Sequence, residues 1–249
     1  MRELGRLSPT RLPSRHLWRG LTRNQMKNFI IHLPNIPASL ETATNLKDKL
    51  ESFGETVELV DGTDGNTASN QMEFEGRTLH PFGFKGPDFQ ILTDPNAVAK
   101  MSTPGVKGCF YSHYHLWEKC VALDEPVTIW EDDIVLTRPF MKIEWEDILV
   151  VALGHPAKSE RYMHYLLEPT GDPVAADYIN ASMPGCCGYA IHPHAANKLI
   201  ATYKHTYLPA DNAINQHHVK IQIHNHIMGL ALTKKDGKKS LTRTNFWSN

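Results

Sequence analysis

The hydrophobic positions of this chain fall into two alternating patterns. Phe29-Ile30-Ile31-His32-Leu33 is a short apolar run of strand character. Ser39 then offers an N-cap, Leu40, Ala43, Leu46, Leu50 and Phe53 repeat at helical spacing, and Gly54 supplies a stop. Val57 to Val60 reads as a second strand, closed by Asp61-Gly62. Gly105 to Leu123 returns to helix, and Val127-Thr128-Ile129-Trp130 is a buried strand that ends in Glu131-Asp132-Asp133. Asp147 to Gly154 has no polar face and reads as a central strand. Cys186 to Ile191 is a further strand, with Pro193 opening a helix through Ala195, Ala196, Leu199 and Ile200. A short helix after Pro209 and a strand over Val219 to Ile223 complete the series. Strands alternating with helices predict an α/β layer fold.

Two stretches break the rhythm. Residues 63–104 are rich in Gly, Pro, Asn and Asp and read either as a loop covering a site or as an irregular surface excursion. Residues 155–184, punctuated by Pro156, Pro169, Pro173 and Pro184, also read as irregular. The 249 residues divide into a basic arm over 1–25, one domain over 26–233 and a basic tail over 234–249.

Composition narrows the class. The formal net charge of -1 gives no general attraction to nucleic acid, yet Arg2, Arg6, Arg11, Arg15, Arg19 and Arg23 crowd the arm beside a lone acid, Glu3. That arm reads as an upstream extension, a polyanion-binding or membrane-surface arm, or a targeting peptide. No apolar run approaches the roughly 20 residues that a membrane span needs, and the expectation is a cytoplasmic protein with no membrane span. Cys109, Cys120, Cys186 and Cys187 form no C-x-x-C pair, so reduced thiols are expected.

Chemistry concentrates at Glu131-Asp132-Asp133. Three adjacent carboxylates at a strand end repel one another unless a cation offsets them, and hard ions such as Mg²⁺ or Mn²⁺ prefer oxygen ligands. The residues imply a divalent cation holding a phosphate-bearing substrate. In the preceding helix Cys109, His113, Trp117 and Cys120 share a stripe. Two thiols and a histidine invite a zinc reading, but one straight helix cannot wrap a tetrahedral ion and no further ligand is evident; the alternative is a packed core stripe. Ser112 reads as a donor to phosphate oxygens near a helix start. Among seven late histidines, His224 and His226 stand two apart on a predicted strand, where they share a face and offer one more metal ligand, or form a surface pair. Tyr189 and Trp117 are candidates for a sugar-binding wall or for the core.

The run Gly108-Cys109-Phe110-Tyr111-Ser112-His113, then Trp117, then the strand into Glu131-Asp132-Asp133, resembles the glycosyltransferase family 25 signature. Val60-Asp61-Gly62, Asp147 to Gly154, Gly185-Cys186-Cys187-Gly188-Tyr189-Ala190-Ile191 with its following helix, and Pro209-Ala210-Asp211 match further family segments in the same order. The resemblance spans Lys27 to Leu232. The chain departs from the family after the first strand, where His32-Leu33-Pro34-Asn35-Ile36-Pro37 replaces the usual Asn-Leu-Asp and arginine-bearing segment.

The resemblance implies a GT-A-type α/β fold, with a mixed, mostly parallel sheet flanked by helices. It also implies a transferase that moves a sugar from a nucleoside-diphosphate sugar donor to an acceptor hydroxyl. Asp133, Glu131 and His226 would then hold Mn²⁺ or Mg²⁺, and Asp61, Ser112, His113 and Glu131 would contact the nucleotide sugar. Asp132 and Asp211 would be catalytic. A transfer with inversion needs a base for the acceptor proton, and Asp211 in the P-x-D element is the candidate; its alternative is an N-cap for a helix over Asn212 to His217. A surface glycan is the expected acceptor and a hydroxylated nucleic-acid base the second. A metal-dependent phosphodiester hydrolase and a non-catalytic glycan-binding protein are the competing classes.

Overall fold

The computed structural model describes residues 26–85, 88–91, 94–139, 141, 143–154, 171–177 and 185–231. The basic arm and tail, and most of the irregular 155–184 stretch, lie outside the described residues.

The first unit is β1 (Lys27–His32), α1 (Pro37–Ser52) and β2 (Thr56–Asp61), with β1 and β2 parallel. α1 starts earlier than its sequence suggests. Pro37 occupies its first turn and Ile36 caps it with backbone alone, so Ser39 is not the N-cap. The Ser39 hydroxyl is buried and accepts from the Leu33 N–H at 2.8 Å, fixing the exit from β1. Gly54 has φ +83°, the left-handed conformation expected just past a helix end.

The 63–104 stretch is more ordered than its composition suggests. It holds α2 (Gly65–Phe74), β3 (Thr78–Leu79), β4 (Phe82–Lys85), β5 (Asp88–Ile91) and α3 (Pro95–Met101). Asp64 caps α2 by accepting from the Asn66 and Thr67 N–H groups, and Asp94 caps α3 through Asn96. Arg77 then fastens the segment to the body. Its guanidinium lies 4.6 Å from the Tyr114 ring centroid, pairs with Glu75 and donates to the Tyr203 carbonyl. Side-chain caps and one buried cation supply order that hydrophobic period does not reveal.

α4 (Pro104–Leu123), capped by Thr103, leads into β6 (Val127–Glu131); β7 (Ile134–Leu136), β8 (Ile148–Leu153) and β9 (Ala175–Asp177) follow. β10 (Cys186–Ile191), α5 (Pro193–Thr202), β11 (Thr206–Tyr207), α6 (Ala210–Ala213), β12 (Ile221–His224) and β13 (Gly229–Ala231) complete the described chain. The main sheet is nine-stranded, in the order β2-β1-β6-β10-β8-β12-β9, with β13 beside β8 and β7 beside β13. β1, β2, β6, β8, β12 and β13 run one way, and β7, β9 and β10 the other. The architecture is α/β, with a mixed, mostly parallel sheet flanked by helices.

Alternation along each central strand sends neighbours to opposite layers. Phe29, Ile129 and Val150 pack with α4 and α5, whereas Ile30, Trp130 and Val151 pack with α1. β8 is therefore buried at every position, and its unbroken apolar run follows from that. Each fully buried side chain of this kind contributes about 1.5–3 kcal/mol. Inside the core the Trp130 indole donates to Asn28 Oδ1 at 3.0 Å.

Asp147, just before β8, lies at the edge of the sheet away from the acidic strand end. Its carboxylate accepts from the Lys220 N–H at 2.8 Å and from Lys198 Nζ at 3.0 Å, and His194 is a third partner. Burial alone would raise its pKa, but these donors hold it below the usual carboxylate value. Asp147→Ala should therefore lower unfolding free energy by about 2 kcal/mol near neutral pH. A depressed folded pKa stabilises above the unfolded value and loses that contribution as pH falls through the folded one, so the difference between the two proteins in urea titrations should shrink as pH falls below the ordinary carboxylate range.

Candidate active site

The parallel strands deliver His32, Asp61, Glu131 and His224 to one edge of the sheet, and antiparallel β10 starts from the same edge at Gly185. β1 continues to β2 on one side and lies against β6 on the other, so Glu131-Asp132-Asp133 emerges where the connectivity changes direction. Such a point opens a crevice outside the strand ends.

Three close backbone approaches shape this edge. The Gly62 N–H donates to the His32 carbonyl at 2.6 Å, tying the exits of β1 and β2. A Cβ on Gly108 would lie 2.5 Å from the Thr63 carbonyl oxygen, so only glycine lets α4 approach the turn after β2 this closely. Gly154 and Gly185 likewise meet through an N–H to carbonyl bond of 3.0 Å.

Ser112 has a different task from the one its sequence position suggests. It sits in the third turn of α4, not at the helix start, where its hydroxyl donates to the Gly108 carbonyl at 2.8 Å and accepts from the Thr63 N–H at 2.8 Å. Its only proton is engaged, so it has none for a phosphate. The residue instead brackets the Asp61-Gly62-Thr63 turn against α4. Asp61 is exposed at that turn, with the His32 imidazole 3.2 Å from its carboxylate.

His113 is buried and forms the centre of a short polar chain. Its Nδ1 is 2.9 Å from the Tyr189 hydroxyl, which also accepts from Trp117 Nε1 at 2.8 Å. Trp117 can only donate; with Tyr189 donating onward to Nδ1, the imidazole carries its hydrogen on Nε2. That nitrogen is 3.7 Å from Glu131 Oε1, too far for a hydrogen bond. His113 thus bears on the ligand edge through Glu131. Trp117 and Tyr189 are fully buried, which corrects the sugar-wall reading: they hold His113 in place.

Burial lowers the His113 pKa to about 4 despite the opposing charge of Asp211. Glu131 is shifted the other way. Its side chain is 35% exposed, but the protein packed around the rest, followed by the charges of Asp132 and Asp211, pushes its carboxyl up to about 8. Burial, then Glu131 and Asp211, also raises the Cys109 thiol. Glu131, Asp132 and Asp211 thus act on one region. Among the described residues the His113 imidazole lies 3.7 Å from Glu131 and, being neutral near pH 7, brings no opposing charge to it.

Asp211 enters this group from α6. It lies inside that helix, which Pro209 caps, so it is not an N-cap; its carboxylate accepts from the Gly185 N–H at 3.3 Å and from the Asn212 amide at 3.0 Å. Asp132 and Asp133 form the turn between β6 and β7, and β13 holds β7 in place.

His224 and His226 do not form the expected pair on one strand face. β12 ends at His224, and His226 lies in the bend beyond, where its N–H donates to His224 Nδ1 and its Nε2 contacts the Gly171 carbonyl. A three-ligand group does form among the described residues, from Cys109, His113 and Glu131. Asp133 and His226 stand outside it. Cys109 was visible in sequence only as a neighbour of His113 on the helical stripe; the strand residue facing both came from the fold.

Fold and site together define an α/β protein that gathers carboxylates at the ends of its parallel strands, where Gly62, Gly108, Gly154 and Gly185 let backbone segments approach closely. The sequence comparisons agree. The model for "Glycosyltransferase family 25 (LPS biosynthesis protein)" matches residues 25–214, and the chain belongs to that family. It is 44% identical over 54 residues to the lipooligosaccharide biosynthesis protein lic2B of Haemophilus influenzae, covering 21% of this chain and 20% of that protein. It is 28% identical over 131 residues to the lipooligosaccharide biosynthesis protein lex-1 of the same species, covering 47% and 42%. A glycosyltransferase 25 family member of Aedes aegypti is 30% identical over 130 residues, covering 51% of this chain and 20% of the relative. The chain therefore matches a fifth to about two fifths of these relatives' lengths.

Two outcomes follow from this geometry. Ser112→Ala leaves the Thr63 N–H without its acceptor and should lower stability by about 1–2 kcal/mol, read by urea unfolding. Because His113 and His224 are both held near 4 by burial, the unfolded chain binds protons that the folded chain refuses as pH falls from about 6.5 to 4. Unfolding free energy should accordingly decline across that window, with a shallower slope in His113→Gln.

Proposed function

We propose that this chain is a cation-dependent glycosyltransferase that moves a sugar from a nucleoside-diphosphate sugar to a hydroxyl of a glycan, with inversion at the transferred carbon. The observation that carries the reading is the gathering of Glu131, Asp132 and Asp211 at one sheet edge, close enough to disturb Glu131's ionisation, within a chain of glycosyltransferase family 25. Acceptor choice rests on the family description and on the relatives named for lipooligosaccharide biosynthesis.

The donor set fits a hard cation, because the mutual repulsion at Glu131 is what a divalent ion bound by oxygen ligands relieves. Asp133 with Glu131 would hold it, and His226 on the same edge would join after releasing its contact with Gly171. Bound Mn²⁺ or Mg²⁺ would neutralise the diphosphate and so make it a better leaving group. Asp61, at the end of β2, offers a carboxylate to the hydroxyls of the nucleotide. Asp132 orients the donor beside the turn. Asp211 takes the proton of the attacking hydroxyl, its carboxylate aimed by the Gly185 N–H and the Asn212 amide. His113, fixed by Tyr189, limits where Glu131 can point. A nucleic-acid acceptor has no support from these relatives, and the basic arm that suggested it lies outside the described residues.

A thermal-shift panel of nucleotide sugars, each with and without Mn²⁺, tests the assignment. One sugar nucleotide should stabilise only with the ion, by about 2.7 kcal/mol at a hundredfold excess over its Kd, and Asp133→Ala should abolish the effect. Asp211→Asn should retain that stabilisation while sugar transfer falls by about 10²–10⁴. If no nucleotide sugar stabilises the folded protein with Mn²⁺ or Mg²⁺, the transferase reading fails in favour of the hydrolase or the glycan-binding protein.

A further inference from the structure

The ligand missing from the α4 stripe is supplied by β6. Cys109 and His113 lie one helical turn apart, and Glu131 faces them from the end of the neighbouring strand; one ligand atom from each lies within 4.8 Å of the other two. His113 is 1% exposed, and its Nε2 has no hydrogen-bond partner among the described residues although it points at Glu131. The other ring nitrogen already has the support that a metal-binding histidine needs, because Tyr189 stands 2.9 Å from Nδ1. In the alternative tautomer Nδ1–H donates to the Tyr189 oxygen and frees the Nε2 lone pair.

A thiolate, an imidazole and a carboxylate make a poor cage for Mg²⁺ and a good one for a borderline-soft ion, with one position left for solvent. We propose that Cys109, His113 and Glu131 form a second cation site, selective for a thiophilic divalent ion of the zinc class and separate from the hard-cation site at Asp133. Cys109 binds by giving its thiol proton to solvent and forming a sulfur–metal bond. Glu131 is common to both sites, so an ion here withdraws that carboxylate from the donor and gives zinc-class ions an inhibitory position. Binding itself does not depend on the transfer reaction.

The purified full chain is titrated with Co²⁺ alone and followed by absorbance. One equivalent should produce a sulfur-to-cobalt charge-transfer band with the visible bands of a tetrahedral ion, and Zn²⁺ should displace both. The band should vanish in Cys109→Ser, weaken in affinity by at least about 10-fold in His113→Gln, and persist in Cys120→Ala and Asp133→Ala. Persistence in Asp133→Ala separates this site from the proposed donor site, so each can fail alone. Absence of the band in folded protein at stoichiometric Co²⁺, or its survival in Cys109→Ser, overturns the proposal. If Cys109→Ser does not fold by circular dichroism, alkylation of Cys109 in the unaltered chain decides: protection by Zn²⁺ of about 10-fold or more supports the site, and unchanged alkylation removes it.

Discussion

Carboxylates of like charge held at one edge of a sheet repel each other, and much of this fold serves to keep them there. Glu131 records the strain most directly, because burial together with Asp132 and Asp211 holds its proton far above the ordinary carboxylate range. Each acid reaches the edge from a different element and is restrained by backbone. β1 pairs with Glu131 and β10 with the rest of β6, β13 secures the strand after the Asp132-Asp133 turn, and the Gly185 N–H holds Asp211. Repulsion that would disperse free side chains is resisted by the cooperative stability of the sheet.

The apolar side of the site does a related job. α4 can seat His113 behind Glu131 because Gly108 permits contact with the turn after β2, and because the Tyr189 hydroxyl meets both His113 Nδ1 and Trp117 Nε1. A Cβ on Gly188 would come within 2.7 Å of the Trp130 ring and 2.8 Å of Ala152, so β10 needs glycine there to pass between β6 and β8, at the point where its register with β8 shifts. The glycines and aromatics of the signature segments are thus packing devices. The acids and the histidine use the geometry that packing creates, which explains why motif residues with no possible role in chemistry accompany those that have one.

Much of the architecture was legible in the residues themselves. The strands around Phe29, Ile129, Val150 and Tyr189 and the helices α1, α4 and α5 follow from hydrophobic period, within a residue or two at their ends except at the start of α1, which begins at Pro37 rather than after Ser39. The 63–104 stretch was not legible, because its order comes from the Asp64 and Asp94 caps and from Arg77 set among Tyr111, Tyr114 and Glu75. The caps are local, but no helical or strand period announces them, and the Arg77 contacts to Tyr111, Tyr114 and Tyr203 join residues far apart in the chain. Ser112 shows the same limit at the site: its position beside His113 suggested a ligand contact, and its two hydrogen bonds give it to the protein.

The sequence alone determined the α/β class, the acidic strand end and the family to which these segments belong, because hydrophobic period and local motif are properties of neighbouring residues. Tertiary structure decided which side chains meet. It brought Asp211 to the Glu131 edge, set Glu131 opposite Cys109 and His113, and moved His226 off the strand into a bend. Those outcomes depend on strand pairing and helix docking between segments up to some 100 residues apart, and no local pattern encodes that distance.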